Sequence, residues 1–179
     1  MTSCAVTGHR PQKFPWGNNE EDIRCVGLKS TLTSQIEELV RSGVTDFLSG
    51  MAEGVDTWAA LTVLMLREKH TDLKLHCILP CKTQAEKWEI PAQERYHSIL
   101  EQADSIIYVS REERTGCMLE RNRFLVAHAD LLLAVGSLTG RSGTAATVRY
   151  AQKLGRRIIA INPITRQITY LQAAQGSAE

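Results

Sequence analysis

No stretch of this chain approaches the roughly 20 consecutive apolar residues needed to cross a bilayer, and charge of neither sign dominates it. Its 21 Lys and Arg against 20 Asp and Glu leave a formal net charge of +1. That balance excludes a bulk electrostatic attraction to nucleic acid or to a membrane surface, and leaves room only for a local basic patch. Aromatics are scarce at 6%. The N-terminus, MTSCAVTGHRP, has no basic segment followed by a long apolar run, so no secretory signal is expected. The cysteines are five, an odd number, and scattered (Cys4, Cys25, Cys77, Cys81, Cys117). Cys77 and Cys81 lack a nearby His/Cys pair at zinc spacing, so no metal is expected. Free, partly apolar-embedded cysteines suit a reduced, cytoplasmic setting. Linkers, internal repeats and low-complexity segments are also missing.

What is present is alternation. Apolar runs at 3–7, 46–49, 74–79, 105–109, 130–135 and 157–161 read as strands. They are too uniformly apolar for half-exposed antiparallel strands and suit a buried parallel sheet. Between them, 21–42, 55–69, 84–102, 117–128 and 144–154 read as helices, with Gly43 a stop for the first and Pro91 a kink or break within the third. The composition of 43% hydrophobic and 23% charged residues is that of a globular domain. The expectation is one α/β domain over 1–171: a Rossmann-like, doubly wound parallel sheet of about six strands with helices on both faces, followed by a disordered tail over 172–179. Ligands of such folds bind at the carboxyl ends of the strands, where the winding direction reverses.

Four strand ends carry unusual residues. The first ends in Thr7-Gly8-His9-Arg10-Pro11, where glycine admits close backbone approach and His9 and Arg10 offer donors to phosphate. The second ends in Ser49-Gly50-Met51-Ala52-Glu53-Gly54-Val55-Asp56 and runs straight into a helix. Two glycines four residues apart at a helix N-terminus suggest a nest of N–H groups, although the loop is neither a Walker loop nor a complete GxGxxG. Asp56 reads equally as a helix cap. The fifth ends in Gly136-Ser137-Leu138-Thr139-Gly140-Arg141-Ser142-Gly143-Thr144, a second cradle of the same kind. Glu120-Arg121-Asn122 near the start of the fourth helix offers an anion or sugar contact, or a solvated arginine. Trp88 either stacks on a base or packs against the sheet.

With Gln84, Trp88, Tyr96, Ala129 and Asp130, these motifs resemble the YpsA-like branch of the SLOG superfamily, in the family's order and over residues 4–162. The superfamily includes the LOG phosphoribohydrolases and the DprA single-strand DNA-binding proteins. The resemblance implies a Rossmann-like fold and a nucleotide-derived ligand: a nucleoside monophosphate, NAD or an ADP-ribose derivative. Arg10 and Arg121 would pair with phosphate, and Asp56 or Asn122 with sugar hydroxyls. Met118-Leu119-Glu120-Arg121-Asn122 looks like the LOG segment whose arginine assists cleavage of an N-glycosidic bond, which would make Arg121 catalytic, with Glu120 beside it. The LOG enzymes place a catalytic glutamate two residues after the loop's threonine, and here that position is Ala146. Glu53, Asp56 or Glu120 would have to replace it. Three readings stand open: a nucleotide-binding or sensing domain, an N-glycoside hydrolase, and a DprA-like binder of single-stranded DNA, the last opposed by the near-neutral charge. Related folds pair through helices, so a homo-oligomer is compatible with all three.

Overall fold

The computed structural model describes residues 2–171, so the tail expected to be disordered lies outside the described residues. In chain order the elements are β1 (Thr2–Gly8), α1 (Ile23–Arg41), β2 (Val44–Ser49), α2 (Val55–Arg67), β3 (Lys74–Leu79), α3 (Ile90–Gln102), β4 (Ser105–Tyr108), α4 (Cys117–Ala127), β5 (Leu131–Val135), α5 (Gly143–Lys153), β6 (Arg157–Ile161) and β7 (Ile168–Leu171). A short 3-10 turn, Pro11–Lys13, follows β1.

The strands form one seven-stranded sheet in the order β4-β3-β2-β1-β5-β6-β7. All neighbouring pairs are parallel except β6 and β7. The chain winds outward from β1 to β4, then returns to the other side of β1 to lay down β5. The reversal therefore falls between β1 and β5, which pair in register from Cys4 opposite Leu131 to Gly8 opposite Val135.

Alternation along the strands sorts the core into two layers. Cys4, Val6, Phe47, Leu75, Leu133 and Val135 pack with Leu28, Leu32 and Ile36 of α1, Val63 of α2 and Ile99 of α3. Ala5, Leu48, Ile78, Leu132 and Ala134 face the other way, onto Leu125 of α4 and Val148 and Ala151 of α5. Each fully buried Leu or Ile contributes about 1.5–3 kcal/mol to this sandwich. All five cysteines are buried thiols. Burial pushes the Cys4 and Cys25 thiols up, and that of Cys77 to about 12.

Three details depart from the sequence-based reading. Pro91 does not kink a helix: it lies in the first turn of α3, where its missing N–H is tolerated, and 84–89 form turns. A seventh, antiparallel strand closes the sheet beyond β6. The edge strand β4 is half exposed, with Ile106, Ile107 and Tyr108 about 40% accessible, so a uniformly apolar run did not mean burial on both faces.

The start of α1 is set by Asp22, whose carboxylate accepts the Arg24 N–H, and its end by Gly43, which takes φ 99°. The loop ahead of α1 is tied down by Glu20. Its carboxylate accepts from Lys29 Nζ (2.7 Å), Arg95 Nη1 (2.6 Å) and Trp58 Nε1 (3.1 Å), so one side chain joins the loop to α1, α2 and α3. Bonds from these partners hold its carboxyl near 2 against the opposing effect of burial. Phe14 of the same loop stacks between Trp16 and Trp58.

Candidate functional site

At the β1/β5 reversal the strand ends open into a cleft of about 260 Å3, lined by Thr7, Gly8, His9, Arg10, Gln12, Lys13, Ala52, Asp56, Met118, Arg121, Asn122, Ser142, Gly143 and Thr144. Four separate segments meet there: the end of β1, the start of α2, the first turns of α4, and the start of α5. Glycine makes the convergence possible at two points. A Cβ on Gly8 would overlap the Val55 side chain, so the end of β1 can touch the first residue of α2. A Cβ on Gly50 would overlap the Arg121 guanidinium.

Arg121 is the most enclosed of the charged groups, 3% exposed. Its Nε donates to Asn122 Oδ1 at 2.7 Å, its Nη1 to the Gly50 carbonyl and, more weakly, to Gln84 Oε1 at 3.4 Å. The Asp56 carboxylate, 5% exposed, lies 4.0 Å from Nη1 and accepts the Ala52 N–H at 3.2 Å. Burial pushes the Arg121 pKa down, opposed by Asp56 and reinforced by the like charge of Arg10. Burial likewise pushes the Asp56 carboxyl up, with Arg121 opposing. Arg10 is exposed, and its guanidinium donates to the Met118 sulfur at 3.6 Å.

His9 is clamped. The Ser137 N–H donates to its Nε2 at 3.1 Å, which leaves the proton on Nδ1, 3.2 Å from Thr144 Oγ1. Burial and the neighbouring Lys13 lower its pKa, so the ring is neutral at pH 7. Gly136 lies against this ring, since a Cβ there would come within 2.7 Å of His9 Cε1.

The two glycine-rich loops differ in what they offer. In the loop after β2, the Met51 N–H is taken by Ser49 Oγ (3.1 Å) and the Ala52 N–H by Asp56. Ser49 in turn donates to the Asp56 carbonyl, and Gln84 Nε2 donates to the Gly50 and Met51 carbonyls. Two amides of this loop, those of Met51 and Ala52, are therefore engaged by its own side chains, beside Asp56 and Arg121. In the loop after β5, Ser142 caps α5 by accepting the Ala145 N–H. The Gly143 and Thr144 amides, first in the helix, have no acceptor within it, and both residues line the cleft.

Of the residues singled out in the sequence, the structure brings Thr7, Gly8, His9, Arg10, Asp56, Arg121, Asn122, Ser142, Gly143 and Thr144 to the cleft. Ser49, Gly50 and Met51 stand behind it. Gly54 lines a neighbouring cavity with Trp88, which packs edge-on against Tyr96 at 5.3 Å. Gly136 lies behind His9, and Gly140 does not line the cleft. Glu120 does not line the cleft and pairs with Arg114. Sequence reasoning missed Lys13 and Gln12, and quoted Met118 only as part of the LOG-like segment. A basic residue one turn after His9-Arg10-Pro11 was the available signal for Lys13. Among the described residues no cluster of His, Cys, Asp and Glu could hold a metal ion, and no helix is long and apolar enough to cross a membrane.

Comparison with known proteins agrees with the fold. The family model for YpsA, described as the YspA SLOG family, matches residues 4–158. A UPF0398 protein of Bacillus velezensis is 31% identical over 137 residues, 74% of each chain. Another, from Halalkalibacterium halodurans, is 32% identical over 138 residues, covering 75% of this chain and 72% of that one. Among solved structures, DNA processing protein A of Helicobacter pylori, described in its single-stranded DNA binding mode, superposes with a TM-score of 0.61 at 20% identity. That match covers 90% of this chain and 65% of the other. The structural genomics target TM1055 matches with a TM-score of 0.56 at 16% identity over 88% of this chain and 72% of its own.

Proposed function

The chain belongs to the YpsA SLOG family, and from that premise we propose that its cleft binds the phosphate of a nucleotide or nucleotide derivative, as a binding or sensing site. The observation that carries this reading is the imbalance of charge in a confined space. Arg10, Lys13 and Arg121 line the cleft against one carboxylate among the described residues, that of Asp56, and the N–H groups at the start of α5 add the positive end of a helix dipole. Arg10 already lowers the Arg121 pKa, so an anion between them would relieve their repulsion. In this reading phosphate takes the Gly143 and Thr144 amides and the Arg10 guanidinium, while Asn122 faces the sugar.

The test is calorimetric titration with nucleoside monophosphates, NAD and ADP-ribose. Arg10→Ala is the informative variant because Arg10 is exposed and makes no ion pair among the described residues. Its loss should weaken binding by about 10- to 100-fold, the worth of a charged hydrogen bond. No heat from any nucleotide, or an unchanged affinity in Arg10→Ala, would overturn the proposal.

One observation supports a second reading, N-glycosidic bond hydrolysis. Asp56 lines the cleft with its carboxyl pushed up by burial, the condition of a general acid, and Arg121 lies beside it. Release of free base from nucleoside monophosphates or NAD would establish it; binding without turnover across the same panel would leave a sensor. Binding to single-stranded DNA, by contrast, requires an affinity that falls steeply with salt; a flat salt response would remove it.

A further inference from the structure

A cleft of 260 Å3 is smaller than the roughly 300–1,000 Å3 typical of sites that enclose a small-molecule ligand. It suits a phosphate and part of a sugar, and the rest of a nucleotide must lie elsewhere. Two cavities flank it. The first, of 280 Å3, lies beyond Pro11 and Gly54 and presents Glu20, Glu53 and Glu89 against a single guanidinium, Arg95. Such a lining repels a phosphate ester. The backbone also bars the way, since a Cβ on Gly54 would meet the His9 carbonyl oxygen at 3.0 Å and Pro11 Cδ at 3.2 Å.

The second cavity is larger, 520 Å3, and shares His9 and Lys13 with the cleft. It runs beneath the loop after β5 to the β6–β7 turn. Among the described residues no carboxylate lines it, and His9 and Lys13 are its titratable groups. Its apolar walls come from Pro15, Leu138 and Ile164, the last 59% exposed. Its polar groups include the amides of Asn162 and Gln167.

We infer that this cavity is the second half of the same site, holding the base of an adenine-type nucleotide whose phosphate occupies the cleft. The inference rests on the phosphate-binding reading above. Continuity is the first argument: the shared wall is His9, held flat and neutral by two hydrogen bonds, and Lys13, whose ammonium makes no ion pair among the described residues. A phosphate running from one compartment to the other passes this unpaired cation. Complementarity is the second. Asn162 Oδ1 is engaged by the Ile164 and Thr165 N–H groups at 2.9 and 3.0 Å, which leaves its amino group as a donor. The Gln167 side-chain amide makes no hydrogen bond among the described residues, so it offers an adjacent donor and acceptor. Adenine presents the matching amine beside a ring nitrogen. Leu138 and Ile164 supply the apolar faces that a base plane requires.

The experiment titrates ribose 5-phosphate, AMP and GMP into the wild type and into Gln167→Ala and Ile164→Ala, both changes at exposed positions that leave the core untouched. AMP is expected to bind about 5- to 100-fold tighter than ribose 5-phosphate and tighter than GMP, the worth of a two-point contact to a base edge. Either substitution should reduce that preference for AMP while ribose 5-phosphate affinity stays within about twofold. Equal affinity for AMP and ribose 5-phosphate, or AMP binding unchanged in both variants, overturns the base subsite and leaves the cleft reading intact. Equal affinity for GMP and AMP overturns the adenine assignment. Failure of both ribose 5-phosphate and AMP to bind is the different result that removes the cleft reading itself.

Discussion

Arg121 reaches the cleft from α4 with most of its donors already engaged by Gly50, Gln84 and Asn122. It is thus a structural cation as well as a candidate contact, and its removal would leave the Asp56 carboxylate buried without a counter-charge. Arg121→Ala should destabilise the fold by about 3–5 kcal/mol. Adding Asp56→Ala should restore part of that loss, because the stranded charge disappears. Denaturant melts of the two single variants and the double variant check this, and strict additivity would refute the coupling. His9 makes a pH prediction. Its folded pKa lies below the ordinary 6.5, so between those two values the unfolded chain binds more protons than the folded one. Stability should therefore fall as pH drops below about 6.5, and His9→Gln should flatten the slope measured between pH 7 and 5. Both roles were only half legible in the sequence. The residue types and their loops were visible, but a buried arginine and a solvated one are spelled identically, and only the fold brings Gly50 against Arg121.

At the scale of elements, the strands and helices were read with few errors because periodicity and glycine placement act locally. The misses have physical causes. Pro91 was taken for an interruption because 84–89 continue an amphipathic pattern that the chain spends on turns. β7 is too short, four residues, to announce itself, and it forms only because the edge of β6 is there to receive it. The loop after β2 reads in the sequence as a nest of amides, and two of these, on Met51 and Ala52, are taken by Ser49 and Asp56 of the same motif. A testable consequence lies at α5. Ser142→Ala removes the cap and should cost about 1 kcal/mol, which a thermal melt would register. Glu20 gives a second one: Glu20→Gln should cost about 1–2 kcal/mol at pH 7, the worth of its charged bonds reduced for partial exposure. That difference should shrink as pH falls from about 4.5 toward 2, since the carboxyl is lowered in the folded state. A pH-independent difference would mean that shape, not charge, holds the loop.

For the molecule as a whole, a ligand bound in the proposed site at the β1/β5 reversal would touch segments from both halves of the sheet. A nucleotide at about 100 times its Kd adds about 2.7 kcal/mol to stability. For a chain of this size that is a rise in Tm of about 5–11 °C, and an unchanged Tm in the presence of a ligand shown to bind would break the link between site and fold. The five enclosed thiols have a further use. A thiolate, not a thiol, reacts with alkylating and disulfide reagents, and here the thiols lie out of reach, with those of Cys4, Cys25 and Cys77 also held protonated by their surroundings. The protein therefore carries its own chemical clock. Labelling under native conditions can proceed only through transient opening, and Cys4, on the strand beside the winding reversal, times the opening of the sheet's centre.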